Sequence, residues 1–214
     1  MCCENSPEGG AKEQVIYLSP SQSELLNDPK TTACFTGHRP EGIPFDIKFS
    51  DVNRGIVFSS IYLEIYEAYH RGYRTFITGM ADGIDLLAGE AVEKLRDVYM
   101  NVRLVAVLPF KNQSGHYDDH YSTFRFTNLL HSANEVISIS DDYYTGCFYA
   151  RNRYMVDNSS LLIAAVATRE GGSAYTVDYA KSKGIDIKTV NLKALKKELG
   201  LKNKELPDQT SIKF

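Results

Sequence analysis

The chain has 214 residues, enough for one large domain or for a domain with a tail. Apolar residues make up 43% and charged residues 24%, which supplies a sizeable core and excludes disorder over most of the length. Lys plus Arg (24) against Asp plus Glu (27) leaves a net charge of −3, without the basic excess of a protein that coats nucleic acid.

No run approaches the roughly 18–20 consecutive apolar residues that span a bilayer. The opening MCCENSPEGG has no apolar signal-peptide core. Cysteines at 2, 3, 34 and 147 form no CxxC pair, which fits a reducing cytoplasm better than a disulfide framework or a zinc site. Cys2 and Cys3 read as free thiols at a frayed terminus, with lipidation the less favoured alternative. The expectation is a cytoplasmic protein with no membrane partner.

Along the chain, residues 1–30 read as a mostly irregular lead-in with one short apolar run at 15–18. From 31 to about 192, short apolar runs alternate with longer amphipathic ones. The short runs (33–36, 75–78, 102–108, 135–139, 161–166 and 185–190) lack strict polar alternation, as strands covered on both faces do. Between them, 51–70 repeats Val57, Ile61, Ile65 and Tyr69 at fourfold spacing, one face of a long helix. Further helices are predicted over 84–95, 120–133, 149–157 and 174–183. This alternation predicts an α/β fold of three layers, Rossmann-like, with a mainly parallel sheet of six or seven strands and helices on both faces. Residues 193–214 read as a Lys-rich surface helix, with Leu192, Leu195 and Leu199 in helical period, followed by a loose tail.

In such a sheet a ligand binds beyond the carboxyl ends of the strands, where strand order reverses. The chemistry-bearing segments follow the apolar runs directly. Gly37, His38 and Arg39 follow the first run. Gly79, Met80, Ala81, Asp82, Gly83 and Asp85 follow the second, and one of the two acids is expected to cap the next helix while the other faces the pocket. Gly171, Gly172 and Ser173, with Thr176 one turn on, follow the fifth. Paired glycines remove the side-chain wall, so a phosphate can approach the amides and partial positive charge of a helix start. Arg151 and Arg153 do not share a helix face, so one guanidinium is expected to reach the ligand. His38 is open among phosphate binding, acid catalysis and stacking.

His116 and His120 sit four apart, yet no third ligand is evident, so neither a metal nor a cofactor is expected. No Walker A loop and no GxSxG elbow is present. The mixture of acids and a few arginines at the strand ends fits a small phosphate-bearing ligand better than a long nucleic acid.

Taken together, TGHRP at 36–40, TGMADGID at 78–85, ARNRYMVDNSS at 150–160 and GGSAYT at 171–176 resemble the SLOG superfamily, most of all its YpsA-like branch in bacteria and phages. The likeness covers about residues 32–191. The last three motifs are also similar in order to those of the DNA-processing protein A family, which binds single-stranded DNA. Arg151 and Gly171–Gly172 are similar to motif positions of the Lonely Guy phosphoribohydrolases, which split nucleoside monophosphates. The departures from that second family are specific: Glu170 stands where it has proline, and no Glu occupies its catalytic place. The resemblance implies a nucleotide-derived ligand and a homodimer. It leaves phosphoribohydrolysis as an alternative, with Arg151, Asp82, Asp85 and Asp178 as the weak catalytic candidates, and single-stranded DNA binding as a further one.

Overall fold

In a computed structural model the described residues are 15–113 and 119–202. Cys2–Cys3, His116 and the end of the Lys-rich tail lie outside them. The described residues form one sheet of seven parallel strands in the order β1-β5-β4-β3-β2-β6-β7. The strands are β1 (Tyr17–Leu18), β2 (Thr32–Gly37), β3 (Thr75–Thr78), β4 (Arg103–Leu108), β5 (Glu135–Ser138), β6 (Leu161–Val166) and β7 (Asp186–Asn191). The helices are α1 (Asp51–His70), α2 (Ile84–Arg96), α3 (His120–Ser132), α4 (Cys147–Asp157), α5 (Gly171–Lys183) and α6 (Leu192–Glu198).

The central strands are apolar throughout because each face meets a different helical layer. Ala33, Phe35, Phe76, Leu104, Ala106, Leu161 and Ile163 pack into a core built with α1, α2, α3 and α6. The alternate positions Cys34, Ile77, Val105, Val107, Leu162 and Ala164 pack against Met155 and Val156 of α4 and Ala180 of α5. Period-two alternation therefore sorts two apolar sets, not an apolar and a polar one. On α1, Val57, Ile61, Ile65 and Ala68 are the buried residues, and the Ser50 hydroxyl caps the helix by accepting from the Asn53 amide at 3.3 Å.

The lead-in joins the fold earlier than its composition suggests. Tyr17 and Leu18 pair with Val136 and Ile137 at the sheet edge. The Glu135 carboxylate then accepts from the Glu24 and Leu25 amides and the Ser23 hydroxyl at 2.6–3.1 Å. A two-residue strand is too short to show a period, so the apolar run at 15–18 carries no strand signature of its own. The last helix is also more tightly tied than a free surface helix: Leu192 is fully buried and the Lys196 ammonium donates to the Pro44 carbonyl at 2.9 Å.

Candidate functional site

Strand β2 lies between β3 and β6; the chain leaves it toward β3 on one side and returns beside it through α4 and β6 on the other. Connections that diverge from the carboxyl ends of adjacent strands leave a crevice. A cavity of about 280 Å³ occupies that crevice. Its walls are the end of β2 with His38 and Arg39, then Ala81 and Asp85, one face of α4 (Phe148, Arg151, Asn152), and residues 170–173 at the start of α5.

The glycines have distinct reasons to be glycine. A Cβ on Gly37 would collide with the Ile84 side chain, and one on Gly83, whose φ is +91°, would meet the His38 carbonyl at 2.6 Å. Both let the turn after β2 close onto the start of α2, where the Ile84 amide donates to the His38 carbonyl at 3.2 Å. A Cβ on Gly79 would collide with the Arg151 guanidinium and the Asp85 carboxylate. Gly172 faces open space, and Gly171 adopts φ +75° as α5 begins. Their lack of side chains leaves the first amides of α5 approachable from the cavity, and the N-cap residue Glu170 makes no side-chain capping bond.

Asp85 and Arg151 come from opposite faces of the sheet and meet at the end of β3. Arg151 Nη1 donates to the Gly79 carbonyl and stands 3.8 Å from Asp85 Oδ2. Arg151 Nε donates to Asn152 Oδ1 at 2.7 Å. Asp85 Oδ2 also accepts from the Ala81 amide at 3.3 Å. Burial pushes the Asp85 carboxyl above its ordinary value, while Arg151, the Ala81 amide and Arg39 pull it back down. The pair forms a rigid floor to the cavity.

His38 is a bridge between two loops. The Thr168 amide donates to its Nε2 at 3.2 Å, which assigns the imidazole proton to Nδ1, 3.3 Å from the Ser173 hydroxyl. Burial lowers its pKa, which keeps the ring neutral and preserves that acceptor. The Ser173 oxygen then accepts from His38, and its own proton is left for another partner. Arg39 is exposed on the rim, and its guanidinium has no hydrogen bond or ion pair among the described residues.

Several candidate residues lie away from this cavity. Met80 is buried in the turn at φ +58°, its carbonyl accepting from Gln113 Nε2 at 2.7 Å. Asp82 points toward α3, where its Oδ1 accepts from the Gly83 amide at 2.8 Å and the Ser122 hydroxyl at 3.1 Å; burial raises its pKa. Arg153 is exposed and off the cavity wall, two residues from Arg151 on a helix of 3.6 residues per turn. Thr176 is buried beneath the cradle, donating to the Gly172 carbonyl and accepting from Asn152 Nδ2, both at 2.9 Å. Asp178 is exposed beside Lys181, 3.3 Å away, along a separate groove between α5 and β7.

Five wall residues were not among the sequence candidates: Phe35 and Thr36 of β2, and Phe148, Asn152 and Glu170. Asn152 ties α4 to α5. Glu170 is the N-cap residue of α5 and brings a carboxylate to the rim. Phe148 lies one turn before Arg151 on the same helix face, a relation the i, i+3 rule gives once α4 is known to begin at Cys147 and not at 149. Two arginines and two carboxylates thus share the cavity, and the uncapped helix start tips the balance toward one added anion.

The chain matches the family model YpsA, described as the YspA SLOG family, over residues 33–195. It is 27% identical over 140 residues to a UPF0398 protein of Halalkalibacterium halodurans, covering 63% of this chain and 74% of the relative. It is 25% identical over 118 residues to the uncharacterized SPbeta prophage-derived protein YoqJ of Bacillus subtilis, covering 50% of this chain and 68% of the relative. Among solved structures, DNA processing protein A from Helicobacter pylori aligns with a TM-score of 0.52 at 17% identity, over 84% of this chain and 76% of that one. DNA processing protein A from Streptococcus pneumoniae aligns with a TM-score of 0.52 at 20% identity, over 82% of this chain and 58% of that one. At such identities the likeness is one of fold. Both solved neighbours share the overall fold, and the family model spans most of the sheet. The chain belongs to the YspA SLOG family.

Proposed function

We propose that this chain binds a nucleotide or nucleotide-derived ligand in the crevice at the carboxyl ends of β2, β3 and β6. The phosphate lies on the amides of Gly171, Gly172 and Ser173, with Arg39 closing over it and the Asp85–Arg151 pair as the floor. The observation that carries this reading is the start of α5, whose N-cap side chain makes no capping bond, opening through two glycines into the cavity beside Arg39, which has no ion pair among the described residues. The cavity volume, near the lower end of the range for small-ligand pockets, supports one nucleotide over a polymer. The SLOG resemblance adds a homodimer to the proposal, checked by sedimentation. A thermal-shift screen of nucleoside mono- and diphosphates tests the ligand class: a rise in melting temperature that Arg39→Ala removes is expected, and no rise from any nucleotide removes the reading.

Two alternatives each rest on one observation. The fold likeness to the Helicobacter pylori protein, described by its single-stranded DNA binding mode, supports a DNA-binding reading. A gel shift with single-stranded DNA at two salt concentrations tests it, because backbone binding weakens steeply with salt. For the phosphoribohydrolase reading, Asp85 is the carboxylate among Asp82, Asp85 and Asp178 that lines the cavity. Incubation with nucleoside monophosphates followed by chromatography decides it; no free base above the buffer control removes the enzyme reading.

A further inference from the structure

The cavity has an aromatic part that phosphate binding leaves unexplained. Phe148 is half-buried and contributes to the wall, three residues before Arg151, so the two backbone positions lie about 4.5 Å apart along the axis of α4. Its back is fixed: Phe110, only 3% exposed, meets it edge-on at 6.1 Å and 80°. Tyr143 joins the group, 5.7 Å from Phe110 at 89° and 6.5 Å from Phe148, while remaining 60% exposed. Phe35, the other aromatic of the wall, is 1% exposed and stacks on Phe76 in the core, so Phe148 is the more exposed of the two rings.

An edge-on clamp behind one ring fixes its plane without covering its outer face. A flat apolar face set in advance suits a flat π-system, since stacking then requires little ordering on binding. The helix start, Arg39 and this ring line the same crevice, so it combines a polar, cationic part with an aromatic one. That combination matches a nucleotide, with the pentose between base and phosphate.

We infer that Phe148 is the base-stacking platform of the site, so the ligand carries an aromatic nucleobase and is not a bare sugar phosphate or inorganic phosphate. This rests on the nucleotide reading above and specifies which part of the ligand sets affinity. A stacking contact distinguishes rings by area and not by hydrogen-bond pattern, so purine nucleotides bind more tightly than pyrimidine ones at this ring.

The chain contains no tryptophan, so Phe148→Trp introduces a single fluorophore at this position. Adenosine monophosphate is expected to quench it, and ribose 5-phosphate to leave it unchanged at the same occupancy. Calorimetry on the unmodified chain is expected to give about tenfold or more tighter binding of adenosine monophosphate than of ribose 5-phosphate. Phe148→Leu, which keeps apolar bulk against Phe110, is expected to erase that advantage while leaving ribose 5-phosphate affinity unchanged. Equal affinity for the two ligands, or an equal loss of both in Phe148→Leu, overturns the inference while the phosphate cradle stands. Failure of both ligands to bind the folded chain overturns the nucleotide reading and this inference with it.

Discussion

Asp85 and Arg151 approach to 3.8 Å from opposite faces of the sheet, and Gly79 lies between them with no side chain to keep them apart. Both side chains are nearly fully buried, at 9% and 5% exposure. In Arg151→Ala the Asp85 carboxylate stays buried without its counter-charge. The expected loss is about 3–5 kcal/mol of unfolding free energy at neutral pH, measured by urea denaturation. The pH dependence identifies the cause. Asp85 has its pKa raised in the folded state, so the folded chain holds a proton the unfolded chain has released, and stability falls as pH rises through that window. Removing Arg151 takes away a group that lowers this pKa and extends the window upward. The gap between variant and parent is therefore expected to narrow on acidification into the carboxylate range.

His38 makes a prediction of opposite sign. Its folded pKa is depressed, so as pH falls below the ordinary value near 6.5 the unfolded chain takes the proton first and stability is lost. Protonating Nε2 also removes the acceptor of the Thr168 amide. His38→Gln is expected to flatten the melting-temperature profile between about pH 7 and 5. Its expected cost at neutral pH is about 1–2 kcal/mol.

The glycines separate into those that pack and those that open. Gly79→Ala is expected to cost about 1–3 kcal/mol, because the new methyl meets a held guanidinium and carboxylate. Gly171→Ala is expected to cost about 1–2 kcal/mol through its positive φ alone. Gly172→Ala meets open space and is expected to leave the melting temperature unchanged or slightly higher. Thermal melts of the three variants give the order directly.

Burial pushes the Cys34 thiol up to about 12, so almost none of it is thiolate near neutrality. Peptide mapping after iodoacetamide treatment at about pH 8 is expected to find Cys34 unlabelled in the folded chain and labelled after denaturation.

Most of the sheet was legible because its strands are apolar on both faces. The runs at 75–78 and 161–166 coincide with β3 and β6, and 51–70 coincides with α1. The short edge strand β1 showed in the sequence only as an unassigned apolar run, since its pairing partners Val136 and Ile137 lie more than a hundred residues away. At the crevice the loop identities were readable from their positions after the strands, but side-chain direction was not. Asp82 and Asp85 are three apart and both acidic, and only tertiary packing turns one toward Ser122 and the other toward Arg151. Phe148 was missed for a local reason: with Gly146 at φ +96° as N-cap, α4 starts at Cys147 and places the ring on the Arg151 face.

Gly172→Asp puts the phosphate site at the start of α5 to the test. The site of the new Cβ is open, and an acid in the first turn favours the helix, so the variant is expected to melt at or above the parent's temperature. Its carboxylate, however, occupies the place of the anion. Isothermal titration calorimetry of adenosine monophosphate is expected to show one site per chain in the parent and at least about a tenfold loss of affinity in Gly172→Asp. Equal affinity in the two folded proteins would contradict the claim.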